Sequence, residues 1–169
     1  MSEVSQKVIA FHESKHPQTQ TLLDYWNSKR ASRSAPSWSD IDLLDLPSSL
    51  IPHLVVVDVI ADPLNFKYRF WGGWHVQYHG YDQTNKFMSD IEPLAYRSQI
   101  TNQCVQMLNE PTPILFLQRI PRKSGLWVYS ELCRFPLSDD GETVTKILTA
   151  EFAIDDIREA PNYFHGTQD

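Results

Sequence analysis

The sequence predicts an α+β fold, a five-stranded antiparallel sheet with helices on one face and an N-terminal helical extension. Two strand patterns precede the main helical segments and three follow them. This order favours an antiparallel sheet with helices packed against it. Turn-forming pairs at Asp62-Pro63 and Asp140-Gly141 predict tight connections between consecutive strands.

Composition and charge limit the possible partners. The 169 residues suit one domain, and a hydrophobic content of 41% is enough for a core. A formal net charge of −6 argues against a nucleic-acid partner, because such a partner needs a basic surface. Cys104 and Cys133 lack the spacing of a zinc site, so we expect buried, reduced thiols. No segment approaches the about 18 apolar residues of a membrane span. The N-terminus lacks the pattern of a signal peptide, so we expect a cytoplasmic protein without a membrane partner.

The chain divides into four predicted segments. The main domain occupies residues 51–155 and contains all five strand patterns. A helix and a crossing loop precede it over residues 19–50. Residues 1–18 are polar and are predicted to be a flexible N-terminus, and residues 156–169 form a polar tail.

The N-terminal helix is predicted over residues 20–31. Leu22, Tyr25 and Trp26 fall at helical spacing and form a narrow aromatic stripe. Such a stripe must pack on something, either the chain's own sheet or a second subunit. We assign the three residues to a subunit interface.

The first two strands form a hairpin. Residues 54–60 carry β-branched side chains on both faces, which predicts a central strand covered on both sides. Phe66, Tyr68 and Phe70 alternate along the second strand and predict one apolar face. The pair Gly72-Gly73 ends this strand.

Helical segments and three more strands follow. Residues 74–87 show no clean period, so we expect short helical turns there. A longer helix begins near Ser89 or Asp90, and its apolar face contains Tyr96, Ile100, Cys104, Met107 and Leu108. The remaining strands are predicted at residues 114–120, 126–136 and 143–154.

A series of short motifs runs through about residues 22 to 152 in a fixed order. They are Leu22-Leu23-Asp24-Tyr25-Trp26, Arg33, Pro36, Asp40-Ile41-Asp42, Pro47, Leu50-Ile51-Pro52-His53-Leu54, Tyr68-Arg69-Phe70, Gly72, Gly80, Asp82, Phe135-Pro136-Leu137-Ser138 and Asp140-Gly141. In this order and spacing they resemble a bacterial family of PAS-like domains. Gly73 and Asn85 depart from the family pattern, where a small hydroxylated residue and a glycine are expected.

The resemblance implies a five-stranded sheet that cups a small-molecule cavity, often in a dimer formed through flanking helices. It implies sensing and not turnover, so we expect no catalytic residues. The expected partners are an unidentified small molecule and either a second copy of the chain or a signalling protein.

The PAS resemblance also allows cofactor classes to be compared with the sequence. Flavin photoreceptors of this fold carry a reactive cysteine after the second strand, and no cysteine lies between Gly72 and Ser89. Haem sensors of this fold use a histidine on the long helix, and residues 90–110 contain none. Haem would have to use His75 or His79, so the cofactor, if any, stays unknown.

Eight residues are predicted to line the ligand cavity. Aromatic side chains cluster after the second strand, where they can cover a flat ligand and still offer polar atoms. A plain hydrophobic core explains the same cluster. The predicted set is Trp74, His75, Tyr78, His79, Tyr96, Ile100, Phe116 and Tyr129.

His75 and His79 are spaced i, i+4, which places them on one face of a helix. They could bind a metal together with a third ligand such as Asp82. The segment lacks the glutamate of a metalloprotease helix, and the spacing fixes no third ligand. We therefore predict histidines that line or rim a pocket, and no metal, with ordinary, partly exposed histidines as the open alternative.

Two arginines lie within predicted strands. Arg69 and Arg134 could each bind a ligand carboxylate, but a cross-strand ion pair with Glu131 or Glu151 is the simpler interpretation. Two alternative functions stay open. One is a ligand-free interaction or scaffold module, and the other is an enzyme that uses Asp58 or a histidine as a base in an apolar pocket.

Overall fold

A computed structural model describes residues 5–122 and 124–154 of the chain. Within these ranges the chain forms three α-helices and six strands, with short 3-10 turns in the connections. In chain order they are β1 Ser5–Ile9, α1 Pro17–Arg30, β2 Leu54–Ala61, β3 Leu64–Trp71, α2 Gly73–His79, α3 Leu94–Asn109, β4 Ile114–Pro121, β5 Trp127–Ser138 and β6 Val144–Ala153. The predicted polar tail over residues 156–169 lies outside the described residues.

The strands form a single antiparallel sheet in the order β1-β4-β5-β6-β2-β3. The α+β fold and the antiparallel sheet are therefore confirmed. Strand β2 is central as predicted, since Val55 pairs with Trp71 of β3 on one side and with Thr149 of β6 on the other.

The sheet has six strands because the N-terminus adds one. Strand β1 pairs with β4, with Val8 opposite Phe116. The prediction of a flexible segment is therefore wrong for Ser5–Ile9, where five residues form an edge strand too short to stand out in the sequence. The chain that follows β1 is also attached to the sheet. The buried carboxylate of Glu131 accepts hydrogen bonds from Ser14 Oγ at 2.5 Å and from the Lys15 amide at 2.8 Å.

Both faces of the sheet are covered, because the helices of the main domain lie on one face, as predicted, and the N-terminal helical extension packs on the other. Helices α2 and α3 cover one face, where Val57, Phe66 and Phe116 are buried. Helix α1 and the crossing loop cover the other face, where they bury Leu54 and Phe135. The alternation of side chains along each strand thus supplies two separate cores.

Two of the three residues predicted to form a subunit interface are buried within the chain's own fold. Leu22 is 0% exposed and Trp26 is 3% exposed, both packed on the sheet. The Tyr25 hydroxyl bonds to the backbone of Asp42 at 2.9 Å. The interface assignment is therefore wrong for Leu22 and Trp26, because the stripe packs on the chain's own sheet.

The two cysteines are free and buried, as predicted. Cys104 belongs to the core beneath α3, and Cys133 belongs to the core on the opposite face of the sheet. Among the residues that the structure describes, no helix has the length and apolar character needed to cross a bilayer.

Candidate functional site

Three ionisable side chains meet beneath α2, and we call them the His–Glu centre: His75, His79 and Glu151. All three are buried, with 2% exposure or less. Nε2 of His79 lies 2.9 Å from Oε2 of Glu151, and Nδ1 of His75 lies 3.4 Å from the same oxygen. The two imidazole rings are parallel within 1°, with centroids 5.6 Å apart.

Local backbone features place the two histidines over the sheet. Helix α2 has seven residues, and the i, i+4 spacing turns both rings to its inner face. Gly72 precedes the helix and donates its N–H to the Leu54 carbonyl at 2.9 Å. Gly80 ends the helix with a φ of 88°, a left-handed conformation that glycine adopts without strain.

Glu151 reaches the centre from β6. Alternation along this strand places Ile147, Thr149 and Glu151 on the face beneath the helices. Its Oε1 accepts hydrogen bonds from Ser130 Oγ at 2.7 Å and from Gln118 Nε2 at 3.1 Å. These donors orient the carboxylate so that Oε2 faces the histidines.

The hydrogen bond of His75 fixes its tautomer. Nε2 of His75 lies 2.7 Å from the His53 carbonyl oxygen, which can only accept, so Nε2 carries a proton. In the neutral ring, Nδ1 then presents a lone pair toward Glu151. Burial would raise the pKa of Glu151, but the adjacent His79 and His75 outweigh burial and hold that pKa well below its ordinary value.

Two buried ring nitrogens lack hydrogen-bond partners. Nδ1 of His75 and Nδ1 of His79 have none within the described part of the chain. A buried polar atom without a partner costs about 1–3 kcal/mol. His75 Nδ1 faces Glu151 and can accept a proton or coordinate a cation there, whereas His79 approaches Glu151 through its other nitrogen, Nε2.

The arginines make contacts other than those predicted. Arg134 is 4% exposed, and its guanidinium donates two hydrogen bonds to Gln103 Oε1, at 2.7 and 3.1 Å, and one to Thr149 Oγ1 at 3.0 Å. Arg69 pairs with Asp58 at 2.9 Å. The predicted pairing with Glu131 or Glu151 is wrong, because those carboxylates lie against other donors.

Asp58 is poorly placed to act as a base. Its carboxylate lies 2.9 Å from Arg69 Nε and 3.4 Å from Lys146 Nζ. Both partners are cations, so the carboxylate is already engaged in two ion pairs. Since the side chain is also 20% exposed, it is not in an apolar pocket.

The space beside the His–Glu centre is small, with a volume of about 20 Å³. That volume suffices for about one water molecule, whereas sites for organic ligands commonly measure about 300–1,000 Å³. We call this space the chamber; its lining is Val55, Tyr68, Trp71, His75, Tyr96, Ile100, Leu132, Arg134, Thr149 and Glu151.

The eight predicted ligand residues separate into three groups. His75, Tyr96 and Ile100 line the chamber. His79 does not line it but contacts Glu151, which does. Trp74 and Tyr78 are half-buried and stack on each other with centroids 4.3 Å apart. Phe116 is fully buried in the core. Tyr129 contacts the other predicted residues through its backbone carbonyl, which accepts a hydrogen bond from the Tyr78 hydroxyl at 3.2 Å.

Sequence reasoning did not assign to the site the polar side chains that the sheet contributes, although Arg134 and Glu151 were considered for an ion pair. These sheet residues share one signal, a polar residue at an inward-facing position of an otherwise apolar strand. Glu151, between Ala150 and Phe152, is the clearest example. The residues left out of the predicted site are Gln103 on α3 and Gln118, Ser130, Arg134, Thr149 and Glu151 on the sheet.

A wider cleft of about 540 Å³ lies outside the chamber and is open to solvent. It is formed by residues between α2 and α3, including Tyr81 and Glu92, and by Pro121 and Arg122 near the end of β4. None of the eight predicted residues lines it, and no member of the His–Glu centre does.

Comparison with protein families gives one match over most of the chain. A family described as "PAS domain" matches residues 14–150. No curated protein matches the chain.

Comparison with solved structures gives the same fold. The dark structure of the blue-light photoreceptor Aureochrome1 LOV has a TM-score of 0.55 at 8% identity, over 74% of this chain and 91% of that one. A Rhodobacter sphaeroides LOV protein has a TM-score of 0.50 at 14% identity, over 63% of this chain and 61% of that one. An RNA-binding light-oxygen-voltage receptor has a TM-score of 0.51 at 10% identity, over 98% of this chain but 42% of that one. At these identities the likeness shows the fold alone.

Proposed function

The chain belongs to the PAS domain family, and on this premise we propose that it is a sensory signalling domain that detects its signal at the His–Glu centre. The observation that carries the proposal is the burial of Glu151 against two histidines with unpartnered ring nitrogens. This group lies between the sheet and the helices, where the resemblance to PAS-like domains implies a ligand cavity. Perturbed, buried ionisable groups of this kind are typical of functional sites.

The volume of the chamber limits the class of effector. About 20 Å³ admits a single ion or a water-sized species, and an organic cofactor needs at least ten times more room. Ring nitrogens and a carboxylate oxygen are the atoms available for recognition. The effector we propose is therefore a small polar or charged species.

Helix α2 connects the centre to the surface. It carries His75 and His79 on its inner face, while Val76 and Gln77 are exposed on its outer face. Because the helix is short and flanked by Gly72 and Gly80, a change at the centre can move it as a unit. A ligand that binds more tightly to one position of α2 increases the fraction of molecules with α2 in that position. A partner protein or a second copy of the chain then binds one position better than the other.

A second candidate function is a ligand-free interaction module. The observation that favours it is the filled interior, since the chamber has room for little more than one water molecule. In this case the His–Glu centre is a structural element, and binding of a partner does not depend on an effector.

Hydrogen exchange at α2 distinguishes the two candidates. We expect Zn²⁺ or Mn²⁺, added singly, to slow exchange of the amides of residues 74–80 in the wild-type chain, and Glu151→Gln to abolish that effect. Glu142→Gln, which removes an exposed carboxylate from the turn before β6, is the matched control and should respond like wild type. If none of these agents changes exchange at α2, or if the change persists in Glu151→Gln, the sensory proposal fails and the interaction module is favoured.

A further inference from the structure

We propose that the His–Glu centre binds one Zn²⁺ ion per chain. This inference names the effector of the proposed function and rests on it for the signalling role of the metal. The metal site itself is argued from the donor atoms, their tautomers, their supporting hydrogen bonds and the volume beside them.

The donor atoms are of the right kind, and one of their separations already fits a tetrahedral ion. Two imidazole nitrogens and one carboxylate oxygen lie within 4.8 Å of one another. Two histidines and a glutamate are one of the three-residue sets that bind zinc with a fourth position open. The 3.4 Å between His75 Nδ1 and Glu151 Oε2 matches the edge of a tetrahedron with metal–ligand bonds of about 2.0–2.2 Å. The 2.9 Å between His79 Nε2 and the same oxygen requires only a small withdrawal of the ring to admit the ion.

The tautomer of His75 favours a cation at this position. Its Nε2 proton is committed to the His53 carbonyl, so the neutral ring turns a lone pair toward a carboxylate. Two acceptors that face each other at 3.4 Å repel each other unless a proton or a cation lies between them. Zn²⁺ would accept both lone pairs.

The surrounding hydrogen bonds have the pattern that orients metal ligands. A zinc-bound histidine usually donates its other ring N–H to a carbonyl or a carboxylate, and His75 does so to His53. A ligating carboxylate is usually held through its second oxygen, and Ser130 and Gln118 hold Glu151 in this way. These contacts fix two of the three ligands before any ion arrives.

The volume of the chamber selects among metals. His75 and Glu151 both line the chamber, whose about 20 Å³ holds one water molecule as a fourth ligand. An Fe²⁺ centre with the same three ligands keeps further coordination positions open and needs more room. Tetrahedral Zn²⁺ therefore fits best. Arg134 lines the same chamber and adds positive charge, so we expect weaker binding than at a thiolate zinc site.

The burial of the donor atoms determines how ion binding would affect the fold. The donor residues are 2% exposed or less, so α2 must open for the ion to enter. Once bound, the ion would join α2 to β6 through two ligands on the helix and one on the strand. The bound state would hold α2 more firmly on the sheet than the free state.

Metal titration of the full chain tests the site. After dialysis against EDTA, we expect calorimetry to give one Zn²⁺ per chain, and Co²⁺ in its place to give the intense visible absorption of a tetrahedral site. Glu151→Gln and His79→Gln should each weaken Zn²⁺ binding at least about tenfold and abolish the Co²⁺ spectrum. His12→Gln, at an exposed histidine, is the matched control and should bind like wild type. Circular dichroism confirms that each variant is folded, and either centre variant suffices if the other does not fold.

The outcomes separate the metal site from the sensory function. No stoichiometric binding, an octahedral Co²⁺ spectrum, or full affinity in a folded centre variant would overturn the metal site. If Zn²⁺ fails to bind while Mn²⁺ still slows exchange at α2, the zinc inference fails and the sensory proposal stands. If Zn²⁺ binds at the centre without any change at α2, the metal site stands and the proposal that α2 transmits the signal fails.

Discussion

The indole Nε1 of Trp26 donates a hydrogen bond to the carbonyl oxygen of Pro136 at 2.9 Å, across 110 residues of sequence. Trp26 also packs on Phe135, with ring centroids 6.2 Å apart. Since the indole is 3% exposed, this contact is part of the core and not of the surface. It holds α1 on the face of the sheet that lies opposite the His–Glu centre.

Replacing Trp26 tests this attachment. Trp26→Phe leaves the Pro136 carbonyl without its donor, and we expect a loss of about 1–3 kcal/mol in the free energy of unfolding. Trp26→Ala removes the ring as well and should cost about 3–5 kcal/mol. Urea unfolding measures both. Trp127→Phe, at a half-buried indole over Arg119, is the control and should change stability by less than about 1 kcal/mol. Unchanged stability together with altered sedimentation would place Trp26 at a subunit interface instead.

Adjacent glycines at the start of α2 provide a matched pair of variants. A Cβ added at Gly72 would lie 2.1 Å from the Pro52 carbonyl oxygen and 2.9 Å from that of Leu54, whereas one added at Gly73 meets nothing within 4 Å. Because backbone atoms cannot yield easily, Gly72→Ala should lower the free energy of unfolding by about 3 kcal/mol. Gly73→Ala should stay within about 0.5 kcal/mol of wild type. Equal effects of the two variants in chemical denaturation would show that Gly72 is not packed against residues 52–54.

The turn before β6 makes stability depend on pH in the acid range. The amides of Thr143 and Glu142 and the hydroxyl of Ser138 donate to Asp140, and these hydrogen bonds lower its pKa to about 2. A carboxyl group whose pKa is lower in the folded than in the unfolded state stabilises the fold at any pH above its unfolded pKa. For Asp140 this stabilisation is lost as the pH falls through about 2.

We therefore expect Asp140→Asn to unfold at a lower temperature than wild type near neutral pH. The difference in melting temperature between the variant and wild type should become smaller between about pH 4 and pH 2, because protonation removes the charge from the wild-type Asp140 side chain as well. Melting curves at several pH values measure the narrowing. Asp139→Asn removes a neighbouring exposed carboxylate and controls for net charge. A difference that stays constant down to the lowest pH would contradict the role of the Asp140 hydrogen bonds.

The cysteine thiols should be unreactive in the folded protein. Burial raises the pKa of Cys133 to about 12 and also raises the pKa of Cys104, so little thiolate is present in either case. We expect no reaction with Ellman's reagent at about pH 8 before unfolding, and two reacting thiols in denaturant. An exposed thiol introduced by Asn109→Cys is the positive control. Rapid native labelling of the wild type, removed by Cys104→Ser, would show that α3 opens readily from the sheet.

Strand positions are predictable here because alternation and turn chemistry act locally. Strands β2 and β3 begin and end within two residues of their predicted bounds. Strand β1 is not predictable in this way, since its five residues gain their structure by pairing with β4. The face covered by α1 is also unpredictable, because an aromatic stripe does not specify which surface it packs on.

Two of the three residues of the His–Glu centre can be paired from the sequence. The i, i+4 spacing of His75 and His79 places them together on any helix. Glu151 lies 72 residues beyond His79 and joins the pair only because β6 is next to β2 beneath α2. The small volume of the chamber likewise depends on how Gln103 and Arg134 pack between helix and sheet, which no local pattern encodes.

The separation between Trp26 and Pro136 has a consequence during synthesis. The ribosome completes α1 long before it makes β5, so the aromatic stripe of the nascent helix has no sheet to dock on. Docking must wait for nearly the whole chain, a distant contact of the kind that slows folding. During that interval the exposed indole is a natural point for a chaperone to bind.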